Sequence, residues 1–193
     1  MAQAIERIKS TCLACKLTLT REGVAFMFEP NVDGLVANNA TYVDHNHVSG
    51  LVAAPRCKLA VVACMDARLD PLAVLGLEIG DAHIMRNAGG VVTDDVIRSL
   101  CLSQRTLGTQ EIILLHHTDC GLQNVDEAAF RSDLEAELGL RPAWALESFT
   151  DTYADVRQSI QRLKLSPFLV HKQHITGFVF DVADGRLNQV VAG

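Results

Sequence analysis

Leu59-Ala60-Val61-Val62-Ala63-Cys64-Met65-Asp66-Ala67-Arg68 is the stretch on which the reading of this chain turns. Its first five residues form an unbroken apolar run of strand length, the pattern of a strand covered on both faces in a parallel sheet. A second such run, Ile112-Ile113-Leu114-Leu115 with His116 after it, closes on His117-Thr118-Asp119-Cys120-Gly121. Both runs therefore end in residues with chemistry to offer. In open parallel sheets, ligand sites lie at the carboxyl ends of the strands.

Working outward, strands alternate with helices. Asp70 is a natural N-cap before Pro71, so residues 71–77 read as a short helix. Residues 82–85 read as a strand. Thr93 or Asp94 caps a helix that carries Val96, Ile97, Leu100, Cys101 and Leu107 and ends at Gly108. Asn124 or Asp126 opens a helix to about Leu138, and residues 151–165 form an amphipathic helix through Val156, Ile160 and Leu163. Residues 175–182 read as a strand, and Asp184-Gly185 turns it back toward residues 187–191 as a hairpin. The expected fold is α/β, with a central, mainly parallel β-sheet flanked by helices, an N-terminal arm and a C-terminal strand hairpin. Residues 1–35 are read as an arm or extension, with a short helix at about residues 35–43. Residues 36–193 are read as the functional domain.

Composition removes several classes of function. The 193 residues are 49% apolar with a net charge of −6, as in a soluble globular domain. No clustered excess of Lys and Arg offers a nucleic-acid surface. No apolar stretch approaches the ~20 residues that span a bilayer, and residues 1–10 lead into no apolar signal core. The six cysteines are too sparse for a disulfide scaffold and suit a reducing cytoplasm, where thiols serve as core residues, ligands or catalysts.

Two thiols and an imidazole delivered from two strand ends make an open zinc site. A catalytic zinc takes three protein ligands and leaves its fourth position free. Cys64, His117 and Cys120 supply such a set, and apart from His116, which strand alternation points the other way, neither motif holds a further Cys or His close by to close it. Taken singly, each cysteine reads as a buried core thiol; found together at two strand ends, they read as ligands. Asp66 and Arg68 follow Cys64 at intervals of two. In an extended stretch all three side chains face one way, and Arg68 would then hold Asp66 bidentately. Zinc with two thiolates and a neutral His is formally uncharged and acidifies water less than an all-His site. That gives Asp66 a role, either orienting the nucleophile or moving in as a fourth ligand.

Cys-x-Asp-x-Arg at one strand end and His-x-x-Cys-Gly at another resemble the β-class carbonic anhydrases. VVACMDARLD, AHIMRNAGGVVTDDVIRS, EIILLHHTDCG and the C-terminal GFVFDV are similar to the short bacterial and fungal branch of that family. The resemblance covers roughly residues 36–193. It implies zinc on Cys64, His117 and Cys120, an Asp66–Arg68 catalytic dyad, attack on CO2 by a metal-bound hydroxide with bicarbonate as product, and a homodimer or higher homo-oligomer. The loop Ala88-Gly89-Gly90, after Asn87, resembles the family's wall beside the substrate pocket. Where plant-type members carry a substrate-contacting Gln, this chain has Pro55. The same branch resembles carbonyl sulfide and carbon disulfide hydrolases, whose linear electrophiles suit the same nucleophile, so the zinc motif leaves the gas open.

Weaker signals remain. Cys12-Leu13-Ala14-Cys15 has redox or zinc-ligand spacing and raises a third reading, a thiol- or zinc-based redox-sensing binding module. Against it, no strand precedes the pair. His116 faces away from the ligand side by strand alternation and reads as a core or interface packing residue. His83, on a short strand, could relay protons but reads first as a satisfied polar core residue. Asp94 and Asp95 read as helix capping, and Cys57 and Cys101 as structural.

Overall fold

The computed structural model describes residues 16–20, 23–27 and 30–191. The Cys12/Cys15 pair and most of the expected arm lie outside the described residues. The chain divides into two compact units, within residues 1–50 and 51–193. In the first, β1 (Lys16–Thr20) pairs antiparallel with β2 (Gly23–Met27). This hairpin was not expected, although Lys16-Leu17-Thr18-Leu19-Thr20 alternates with the period of a strand. The helix α1 follows (Val32–His45), with Asn31 as its N-cap accepting from Gly34 N at 3.0 Å. It is longer than the expected segment and buries no residue.

The second unit is a five-stranded sheet in the order β4-β3-β5-β6-β7. The strands are β3 (Leu59–Cys64), β4 (Ala82–Asn87), β5 (Glu111–His117), β6 (His174–Phe180) and β7 (Leu187–Val190). Pairing is parallel from β4 through β6, and β7 closes the edge antiparallel to β6. The α/β architecture is the one expected from the alternating pattern.

Every residue of β3 is buried, which accounts for its continuous apolar run. Ala60 and Val62, with Ile112 and Leu114 of β5, face α3 (Asp94–Leu107) and α5 (Thr152–Leu165). Val61, Ala63 and Leu115 face the opposite side, with Leu69 and the α2 (Pro71–Leu75) residues Val74 and Leu75. Each fully buried Val or Leu contributes about 1.5–3 kcal/mol, so β3 and β5 anchor the layers on both sides. The helix starts follow the side chains that cap them. Asp70 accepts from Leu72 N, Thr93 from Val96 N, and Asp151 from Tyr153 N. Asp126 caps α4 (Glu127–Leu138) through Ala129 N. Each cap contributes about 1 kcal/mol.

β6 meets α5 at Gly177, where a Cβ would overlap Val156 Cγ1 and come within 3.1 Å of Ile160 Cδ1. Gly177→Ala is expected to destabilise the fold by about 1–3 kcal/mol through overpacking, read as a lower urea midpoint with an unchanged slope. A wild-type midpoint would mean that α5 shifts freely on the sheet.

Candidate metal centre

β3 and β5 are parallel neighbours, with Ala63 opposite Leu115. Cys64 ends β3, His117 ends β5, and Cys120 sits in the loop three residues on. All three are buried, at 3%, 0% and 7% exposure. Their ligand atoms lie within 4.8 Å of one another, and the two sulfurs are 3.9 Å apart. The three residues thus form a metal-binding constellation.

His117 is preset for ligation. Its Nδ1 donates to Thr118 O at 2.8 Å, which leaves Nε2 as the bare nitrogen. That Nε2 is buried with no hydrogen-bond partner in the protein. A buried acceptor left this way is costly unless something meets it. The hydrogen bond between the thiols pushes the Cys64 thiol pKa down and that of Cys120 up, so negative charge resides first on Cys64.

Asp66 and Arg68 are joined as expected, by another backbone route. After Cys64 the chain does not stay extended. Leu69 N bonds Asp66 O at 3.1 Å, and Arg68 N bonds Asp66 Oδ1 at 2.9 Å, so Asp66 begins a turn held by its own side chain. That turn brings Arg68 back on Asp66, with Nε to Oδ1 at 2.9 Å and Nη2 to Oδ2 at 2.8 Å. The Arg68 hydrogen bonds hold the Asp66 carboxyl well below the usual carboxylate range. Asp66 Oδ2 lies 3.7 Å from His117 Nε2, so the ionised carboxylate borders the donor trio without belonging to it.

Cys64 and Cys120 line a cleft of about 360 Å³ whose walls include Asp66, Gly89, Leu122, Phe130 and Leu146. Ala88 and Gly89 line it. Gly90 lies beneath, with φ +72°, where a Cβ would sit 2.8 Å from Cys64 N. Glycine there lets the loop approach the end of β3. A larger cleft of about 520 Å³, with Asp126, Asp151 and Asp155 in its wall, contains none of the three donors. His116 faces away from the trio, as expected, and is fully buried with Nε2 2.8 Å from Asp155 Oδ2. His83 bonds Ser103 Oγ and Ala53 O.

Some site residues escaped the sequence reading. Arg86 of β4 donates from Nε to Cys64 O at 3.0 Å and from Nη2 to Asp66 O at 2.7 Å, pinning the backbone on which the ligand and the carboxylate sit. Asp119 accepts from Arg68 Nη1 at 2.8 Å through Oδ2, and its carbonyl accepts from Nη2 at 2.8 Å. The acid between His117 and Cys120 was the available signal for Asp119.

The carbonic anhydrase family profile matches residues 59–163, more than half of the chain and inclusive of every residue of the trio. The chain belongs to the β-class carbonic anhydrase family. Within that family it is 51% identical over 158 residues to β-carbonic anhydrase 1 of Mycobacterium tuberculosis (strain H37Rv), which covers 82% of this chain and 96% of that one. The crystal structure of a carbonic anhydrase from Streptococcus mutans aligns with a TM-score of 0.78 at 43% identity, covering 86% of this chain and 100% of that one. A carbon disulfide hydrolase of Acidianus sp. (strain A1-3) is 37% identical over 161 residues, 69% of this chain and 79% of that one. Carbonic anhydrases are lyases, and the trio is the metal site typical of the β class. Among the described residues, no helix is long and apolar enough to cross a membrane.

Proposed function

We propose that this chain is a zinc enzyme that interconverts CO2 and bicarbonate, with Cys64, His117 and Cys120 as the zinc ligands. The carrying observation is the bare, buried Nε2 of His117 beside two sulfurs 3.9 Å apart. A tetrahedral ion with bonds of ~2.3 Å places two thiolate sulfurs ~3.8 Å apart, which the spacing of Cys64 and Cys120 Sγ matches. When bound, zinc supplies a Lewis acid that lowers the pKa of a water at its open position.

The remaining work belongs to the chain. Asp66 is ionised and held by Arg68, so it accepts the O–H of a water beside the trio and aims that oxygen's lone pair into the cleft. Leu122, Phe130 and Leu146 give CO2 an apolar wall and exclude bulk water. Ala88 and Gly89 offer a surface of low bulk along the other side, while Gly90 lets that loop sit against β3. Arg86 holds the carbonyls of Cys64 and Asp66, keeping ligand and carboxylate in one frame.

We further place the catalytic domain at residues 36–193, with residues 1–35 as an extension. The length of the mycobacterial relative's match, 158 residues or 82% of this chain, is consistent with a catalytic domain that leaves out a short segment. A homodimer fits the apolar residues that α1 leaves exposed, Val32, Leu35, Val36 and Val43, and the sparse cysteines fit a cytoplasmic location.

A second reading has its own support. The Acidianus relative is a carbon disulfide hydrolase, and carbonyl sulfide and carbon disulfide are linear electrophiles like CO2. Stopped-flow CO2 hydration and hydrogen sulfide release from carbonyl sulfide, measured on one zinc-quantified preparation, separate the two. The expected result is a kcat/KM for CO2 at least about 10²-fold above that for carbonyl sulfide, in the range of efficient enzymes. A ratio favouring carbonyl sulfide would replace the first reading with the second.

A further inference from the structure

We propose that Asp119 is a positioning residue that holds the Arg68 guanidinium in the plane from which it aligns the Asp66 carboxylate on the donor trio. This rests on the reaction assigned above and adds a residue to its machinery.

The guanidinium is gripped on two edges. Nε and Nη2 meet the two oxygens of Asp66 at 2.9 and 2.8 Å. On the far side, Nη1 meets Asp119 Oδ2 at 2.8 Å, and Nη2 also meets Asp119 O at 2.8 Å. Asp66 alone would leave Arg68 free to rock about their shared edge, because a bidentate pair fixes a plane only while both partners stay still. Asp119 supplies the second anchor from a different strand end. Both of its contacts arise because it sits at φ +55°, a left-handed conformation that turns its carbonyl and its carboxylate toward the same guanidinium.

Exposure argues that the contact serves geometry more than stability. The Asp119 side chain is 79% exposed and that of Arg68 47%, and ion pairs this open add little to folding. A carboxylate between two metal ligands also adds negative charge beside a thiolate, which counts against placing it there for stability. Its contribution is to orient the group that orients Asp66.

The test uses two variants chosen for the backbone. Asp119→Gly removes the carboxylate and adopts a positive φ without strain, and Asp119→Asn keeps an uncharged acceptor in a residue that tolerates this conformation. With zinc content unchanged, Asp119→Gly is expected to lower kcat for CO2 hydration about tenfold and move KM by less than about twofold. Asp119→Asn should lower kcat about threefold, since a neutral acceptor binds guanidinium less strongly. In an Arg68→Ala background, Asp119→Gly should have no further effect.

A readout independent of turnover is the Arg68 Nε–H resonance, assigned by its loss in Arg68→Lys and followed in zinc-loaded and metal-stripped protein. Its exchange with water should quicken in Asp119→Gly in both forms. A wild-type kcat together with an unchanged Arg68 resonance overturns the proposal, and so does an undiminished loss in the Arg68→Ala background. If zinc-replete wild type fails to hydrate CO2, the assigned reaction falls, while the Nε–H comparison still decides whether Asp119 holds Arg68.

Discussion

A Cys64→Ser chain prepared with zinc in the medium is expected to carry less than about a tenth of an equivalent of the metal and to lose at least about 10³-fold in kcat/KM. The thiolate is the ligand form of cysteine, and the hydrogen bond with Cys120 pushes the Cys64 thiol pKa well below its ordinary value. A serine hydroxyl does not ionise near neutrality. The substitution therefore removes a charged ligand and leaves an imidazole and one thiol, too few to retain zinc through dialysis. Cys120 would also lose its sulfur partner.

Bulk is not the cause, because serine is slightly smaller than cysteine and Cys64, 3% exposed, ends a strand that is buried throughout. Elemental analysis gives the zinc content, and circular dichroism with a urea melt shows whether the fold survives. A folded Cys64→Ser protein that is zinc-replete and active would remove Cys64 from the ligand set.

The parts of this site visible in the sequence share a physical cause. Leu59 to Ala63 and Ile112 to Leu115 are apolar without interruption because the sheet is covered on both faces, and such runs mark their own ends. Cys64 and His117 stand at those ends, and a helix cap such as Asp70, Thr93 or Asp151 is written in one residue and its neighbours. Contacts made only by register carry no local mark. Asn87 pairs opposite Cys64, so Arg86 comes beside the Cys64 carbonyl through the alignment of two strands over twenty positions apart.

Asp119 reaches Arg68 because a turn and a left-handed residue happen to converge, and neither is an apolar pattern. The extended backbone expected after Cys64 failed for a related reason. Asp66 can satisfy the Arg68 N–H with its own carboxylate, and that local bond outweighs continuation of the strand. The cleft wall was equally hidden. Phe130 and Leu146 come from α4 and the loop after it, and α4 buries none of its residues, so no amphipathic stripe pointed to them.

Asp66→Asn is expected to behave in the opposite way from Cys64→Ser: zinc stays near one equivalent while kcat falls about 10²–10³-fold. The side chains are nearly isosteric, and the Asp66 carboxylate stands 3.7 Å from His117 Nε2, outside the trio. Metal retention should therefore be indifferent to it. What changes is the pairing with Arg68. The carboxylate accepts on both oxygens, from Nε and Nη2, whereas an amide offers one oxygen and turns an NH2 toward one of those donors. The amide then either rotates away from Arg68 or leaves one guanidinium N–H facing another donor. In both cases the acceptor proposed to aim the reacting water is lost, and Arg68 falls back on Asp119.

The wild-type carboxylate faces no such ambiguity across the neutral and mildly acid range, because Arg68 holds it well below the usual carboxylate range. A group depressed in this way contributes its stability above its unfolded pKa of about 3.9 and loses it only as pH falls through the lower folded value. Loss of turnover in Asp66→Asn at neutral pH is then loss of an acceptor and not a shifted titration. If Asp66→Asn also loses its zinc, the carboxylate must be counted among the ligands. If it keeps both zinc and turnover, orientation of the water has to come from another group at the cleft.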